Sequence, residues 1–404
     1  MLDKESVAFE HLAMASMGNI TPANIQTIRK IAALSECTDP KILALPHPRR
    51  MVFMRNEELT AIQCGPSWPT VKAAITDKHN TLNDMIAAVC EASPYMAALH
   101  DVANYDPASS NGGLTNGPLL SMRFTMNKGP IFQTTDALDE MLFETDISDD
   151  VPMGSVRPPY DMCYFEFGQS RSSKLKVWNA QTGWHQAEGC YVYSYESTIP
   201  PHPELGKIRF LQLMVTGSPK SNVGDDAYGI FTIPITDEAM GVGQAMDEYF
   251  EFHREEIRSL DPSMGYKLAS NEELTVAKEV VLHLIKIALY LSSDQALKTP
   301  LNEESELNEQ MARLKSPAKR AKLERKASTA YDRLVIGPKS IPSSPGMHGT
   351  HDGKPRKIHW RRGHFRDQAH GPERKLRKTI WICPVIVHGD LAADTPESKT
   401  YIIR

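Results

Sequence analysis

The sequence predicts an α+β protein: a helical N-terminal region, a central antiparallel sheet packed by helices, and a basic C-terminal β-hairpin. Three observations carry this. From 160 to 235 four short runs either alternate with period two or are strongly apolar. From 3 to 32, from 81 to 92 and from 246 to 291 the apolar residues recur at intervals of three and four. From 359 the period returns to two, now among arginines, histidines and tryptophans.

Taken in order, residues 3–17 have helical spacing through Val7, Leu12 and Met14, and Gly18 ends the segment. Thr21-Pro22 opens a second helix, with Ile25, Ile28 and Ala32 on one face. Two helices joined by a glycine turn could be a helix-turn-helix, but Arg29 and Lys30 are few cations for a DNA-reading helix. The reading taken is an αα-hairpin. The runs 50–54 and 59–63 flank a polar turn and read as a β-hairpin; 81–92 reads as an amphipathic helix. Residues 105–118 are rich in Asn, Gly, Pro and Ser and read as a loop.

Asp136, Asp139 and Glu140 fall on a short acidic helix, where they could approach a hard cation; the simpler reading is a solvated helix. Four strands follow, at 163–167, 190–195, 208–216 and 228–235, with 174–178 as a further candidate. Tyr191, Tyr193 and Tyr195 then share one face, as stacking platforms or as sheet packing. The glycines of 217–224 and 241–243 lack the order of a phosphate loop or a dinucleotide site, so no cofactor is expected. Residues 246–260 form a charged helix. Ser270-Asn-Glu-Glu273 then caps a long helix striped by Leu274, Ala277, Val281, Leu284, Ala288 and Leu291. His283 on that stripe reads as a core histidine. The span 301–326 reads as one helix, acidic then basic, kinked or ended at Pro317. The organisation expected is a helical region 1–118, a sheet with its helices 119–300, a charged helix 301–336, a flexible linker 337–353 and a basic β element 354–404.

That last element concentrates the chemistry. As a strand, 359–366 sends Trp360, Arg362, His364 and Arg366 to one face, and His359, Arg361 and Phe365 to the other. Gly363 marks a bulge or a close backbone approach. A Gly-Pro turn and the β-branched run 379–387 complete a hairpin. Arginine forks suit phosphate oxygens and flat rings suit bases, so Trp360, Arg361, Arg362, Arg366, Arg374, Lys375, Arg377 and Lys378 are the candidate nucleic-acid contacts. His364 and His359, with Arg366 as a fixed cation, are the candidate catalytic groups for metal-independent phosphodiester cleavage. In a regular strand the two histidines point to opposite faces.

Charge supports a polyanion partner. The net charge of −5 hides 19 Lys+Arg against 5 Asp+Glu from 313 to 381, and 26 against 45 in the rest. The six cysteines show no C-x-x-C pair and no zinc-finger spacing, so no metal is expected and a reducing cytoplasm is. The N-terminus does not read as a signal peptide, and the run 280–291, interrupted by His283 and Lys286, is too short to span a bilayer.

The pattern His359-x-x-Arg362-Gly-His364-x-Arg366, followed by Trp381-Ile382-x-Pro384, resembles the C-terminal signature of a group of phage and mobile-element proteins. Thr145-Asp-Ile, with the segment from Arg157-Pro-Pro-Tyr to Phe-Gly168, resembles an upstream motif of that group, in which Leu is expected where this chain has Pro158. The resemblance implies a microbial or viral, intracellular origin and a pairing of the two segments; it implies no reaction. The leading expectation is a nucleic-acid-binding protein of a phage or mobile element. The alternatives are a metal-independent nuclease using His364 or His359, and a structural or assembly protein whose basic tail meets an acidic partner. The sequence does not fix an oligomeric state.

Overall fold

The computed structural model describes residues 21–94, 112–168, 174–179, 182–198, 206–259, 271–344 and 359–387, with Ser16, Ala97 and Glu204. The α+β class is as predicted. Helices α1 (Pro22–Ser35), α2 (Pro40–Leu43), α3 (His47–Phe53), α4 (Asn56–Cys64), α5 (Trp68–Thr76), α6 (Leu82–Ala92) and α7 (Gly112–Met126) come first. Next are β1 (Ile131–Thr134), α8 (Asp136–Phe143), β2 (Thr145–Ile147), β3 (Met162–Glu166), β4 (Lys176–Asn179), β5 (Gly183–Thr198), β6 (Lys207–Gly217) and β7 (Ala227–Ile235). After α9 (Val242–Ser259) and α10 (Asn271–Ser292) come β8 (Lys298–Asn302), α11 (Glu303–Arg313), α12 (Pro317–Ala327) and β9 (Asp332–Ile336). The last described strands are β10 (Ser343–Ser344), β11 (His359–Arg361), β12 (Gly363–His370), β13 (Leu376–Ile382) and β14 (Val385–Val387).

The large sheet runs β7-β6-β5-β3-β1-β9-β8, with β4 paired to the start of β5. The meander β5–β6–β7 is antiparallel, as the two-residue period predicts. Its other half is mixed: β1 lies parallel to both β3 and β9, while β3 with β5 and β8 with β9 are antiparallel. Both faces are covered, which is why the strands read as almost unbroken apolar runs. Cys163, Phe165, Cys190, Val192, Leu211 and Leu213 face α8, α9 and α10. Tyr164, Tyr191, Tyr193 and Met214 face the N-terminal helices. The tyrosine stripe is therefore packing: the Tyr193 hydroxyl donates to Leu120 O, and Tyr191 sits edge-on to Phe124.

Several local expectations are corrected. The runs 50–54 and 59–63 are helical, lying in α3 and α4 about Arg55 at φ 58°. Five-residue runs cannot separate a period of 2 from one of 3.6. Residues 112–118 begin α7 rather than a loop; at Gly117 an added Cβ would stand 3.4 Å from the Tyr228 ring, so the small residue lets this helix lie close on the sheet. The span 301–326 begins in β8 and continues as two helices: the break expected at Pro317 is there, the first helix ending at Arg313 and Pro317 opening α12. The helix expected at 3–17 lies outside the described residues apart from Ser16, as do 345–353 and 388–404. No described helix is long and apolar enough to cross a membrane.

An ion cluster pins the N-terminal helices to the sheet. Arg50 of α3 is fully buried and grips the Glu188 carboxylate of β5 with both terminal nitrogens, while its Nη2 lies 3.0 Å from Asp226 Oδ1. His47, one turn earlier on α3, meets the Tyr191 hydroxyl at 2.7 Å and the Tyr228 hydroxyl at 3.2 Å. Burial pulls the guanidinium pKa down, but Asp226 and Glu188 outweigh it and hold it well above its usual value. On the other face, His283 is buried as expected, its Nε2 3.0 Å from Asp139 Oδ1. Asp139 also accepts from Thr134 Oγ1 and Gly168 N, both at 2.7 Å. Asp139 is thus turned into the core, while Asp136 and Glu140 stay exposed, so the solvated acidic helix is corrected at Asp139 alone.

Candidate nucleic-acid interface

The C-terminal strands are rooted in the main core. Phe365 and Trp381, opposite each other on β12 and β13, are 0% and 3% exposed and stack at 6.0 Å. The Trp381 indole donates to Thr145 Oγ1 and meets Tyr290 edge-on. β12 also pairs parallel with β2, placing His364 beside Asp146. The hairpin is therefore fixed at its base and exposed at its tip.

The expected continuous strand is interrupted. Arg362 separates β11 from β12, and the two strands enter different sheets: β11 pairs with β14, β12 with β13 and β2. His359 and Arg361 are exposed on β11, with Trp360 half-buried between them and opposite Ile386. His364 and Arg366 share one face of β12, opposite to Phe365. The structure brings His364 and Arg366 onto one strand face and leaves His359 on a separate sheet.

Gly363 is a close approach. A Cβ there would stand 2.6 Å from Ile382 O and 2.6 Å from Pro384 Cδ. Gly363→Ala is expected to cost about 1–3 kcal/mol by overpacking this junction, read by urea unfolding. A cost under about 0.5 kcal/mol would show that the junction yields freely. At the tip, Gly371, Glu373 and Arg374 all have positive φ (73°, 52° and 57°), and this tight turn presents Arg374 and Lys375 to solvent.

From 359 to 387 there are seven Lys+Arg and two Asp+Glu. Some cations have carboxylate neighbours: Arg362 lies 3.5 Å from Asp146, Arg377 3.9 Å from Asp367, Lys375 pairs with Glu373 and Lys378 with Asp294. Such exposed pairs are weak and yield readily to phosphate. Arg361, Arg366 and Arg374 have no carboxylate partner among the described residues. The hairpin thus presents a run of exposed cations, with Trp360 half-buried on the neighbouring strand β11. Among the described residues, no group of three His, Cys, Asp or Glu side chains could hold a metal ion.

Sequence reasoning missed the Arg50 cluster and a cleft of ≈ 720 Å³ at the amino ends of β1, β3 and β9, where Phe132, Tyr160 and Tyr331 meet Lys128 and Arg333. Nothing local marks the cleft, because its walls come from segments far apart in the chain.

The model of the AcrVA2-like family, described as the anti-CRISPR type V subtype A2 family, matches residues 132–389. This is more than half of the chain, so the protein belongs to that family, an anti-CRISPR family of phages and mobile elements. The matched span holds both islands of the sequence resemblance. A crystal structure of AcrVA2 aligns with 85% of this chain and 99% of that chain, at 13% identity and a TM-score of 0.46. No curated protein matches.

Proposed function

We propose that this protein inhibits a type V CRISPR–Cas system in the cytoplasm of the host cell, and that its C-terminal hairpin engages the nucleic acid of that system. Family membership supports the first part. The second rests on one observation: a basic hairpin, rooted by Phe365 and Trp381, carries arginines without carboxylate partners at the surface. The hairpin holds the phosphate backbone, and the inhibitor acts by occupying that surface.

In cells whose type V system destroys a targeted plasmid, expression of the chain is expected to restore transformation. The variant with Arg361, Arg362, Arg366, Arg374 and Lys375 all changed to Ala should lose most of this protection. No protection by the wild type against the type V system of its own host range would end the inhibitor reading. Full protection by the variant would end the role of the hairpin and leave inhibition standing.

The enzyme alternative has one observation in its favour: half-exposed His364 stands beside Asp146 and shares a face with Arg366. A histidine acting as general acid or base would make His364→Ala lower a cleavage rate by roughly 10²–10⁴-fold while binding persists. The assay is cleavage of single-stranded RNA and DNA with EDTA present. No cleavage by the wild type, or equal cleavage by the variant, removes the nuclease reading.

A further inference from the structure

The two edges of the large sheet are built differently. β8 has five residues, is exposed along most of its length, and carries Lys298 and Pro300. A short strand, a lysine and a proline are the usual means of keeping an edge from pairing. β7 has nine residues, Ala-Tyr-Gly-Ile-Phe-Thr-Ile-Pro-Ile, with no charged side chain and its one proline, Pro234, next to its end. Among the described residues no strand pairs with its outer edge.

Strand alternation shows which backbone groups that edge offers. β7 pairs with β6 from Ala227 to Ile235 without a register shift. Pro234 has no N–H to give to β6, so it takes a position whose backbone faces outward. Counting back by twos, Thr232, Ile230 and Tyr228 face outward as well. Two residues further, the Asp226 carbonyl accepts from Asn179 Nδ2 at 2.9 Å, which closes the edge at that end. The open window is therefore Tyr228, Ile230 and Thr232, bounded by Asp226 on one side and Pro234 on the other.

That window is symmetric about Ile230. A second β7 laid antiparallel across a two-fold axis would set Ile230 opposite Ile230 and Tyr228 opposite Thr232. Each of these pairs would exchange two N–H···O bonds. The closed ends would match too, Asp226 falling opposite Pro234. We infer that β7 is a self-pairing edge and that two copies of the chain join there into one continuous sheet. A second copy is the occupant because the free groups complement themselves and need no other sequence.

The test is sedimentation velocity of the full chain over a wide concentration range. A dimer is expected, and Thr232→Pro should weaken it by roughly 10–100-fold, since one outward donor is lost from each copy. Lys298→Ala, on the opposite edge, should leave it unchanged. Hydrogen exchange of the wild type supplies a reading without substitution: peptides covering 228–232 should exchange more slowly as the dimer fills. A monomer at every concentration overturns the inference. So does a dimer that a folded Thr232→Pro variant retains at full affinity, or one whose formation leaves exchange at 228–232 unaltered.

Discussion

Replacing Arg50 with Leu is expected to destabilise the protein by about 3–5 kcal/mol, read by urea unfolding. Among the described residues the guanidinium is the fixed cation that pairs with two buried carboxylates, Glu188 and Asp226. Without it both are left in a low-dielectric seam with no charge to oppose them, and the N-terminal helices lose their polar anchor to β5. Adding Glu188→Gln and Asp226→Asn should recover part of the loss, because the uncompensated charges go with them. A loss below about 1 kcal/mol would mean that water reaches the seam and solvates the carboxylates.

The same seam sets a pH dependence with a definite sign. Burial pushes the Asp226 pKa from 3.8 up to about 7, with Glu188 adding to the rise and Arg50 opposing it. A raised folded-state value means that this group's contribution is full below about pH 4 and is lost as pH climbs through about 7. His47 runs the other way. Burial, and then Arg50, hold it well below 6.5, so its contribution is full above 6.5 and is lost as pH falls. Comparing wild type with Asp226→Asn separates the two, since both keep His47. Relative to the variant, the wild type should lose stability between pH 4 and 7 and change little above 8. A constant difference across that range would mean that Asp226 is ionised throughout.

The second large effect is on binding. With Arg361, Arg362, Arg366, Arg374 and Lys375 all changed to Ala, the slope of log affinity against log salt should fall by about 3.5 for a single strand. In the wild type those contacts alone correspond to roughly a 10²-fold loss of affinity between 50 and 200 mM salt. Fluorescence anisotropy with a labelled oligonucleotide measures both. Unchanged slope and affinity in the variant would place the nucleic-acid surface elsewhere or remove it.

What could be read in advance follows from how local each signal is. The apolar runs of β5, β6 and β7 and the stripe of α10 are fixed by neighbouring residues, and the strands and helix lie where those runs place them. The cations of the hairpin are equally local. The break at Arg362 is not, because β11 and β12 each follow a partner that lies elsewhere in the chain. Nor are β1 and β9: four and five residues carry little period, and their pairing joins Phe132 to Leu334. The Arg50 cluster was hidden for a third reason. Glu188 stands at an irregularity in β5 between Ala187 and Gly189, where alternation no longer tells inside from outside.

The rooting of the hairpin also has a consequence for the order of events on the ribosome. Gly363 pairs with Thr145, and the indole of Trp381 closes over the same threonine, so the wall beside β2 is finished only when residues made more than two hundred positions later arrive. Until then Thr145 and Tyr290 of α10 wait without their cover. Such long-range closure is slow, and it leaves apolar surface open to chaperones or to aggregation in the interval. A nonsense mutation near 358 would therefore act as a core lesion rather than as the trimming of a tail.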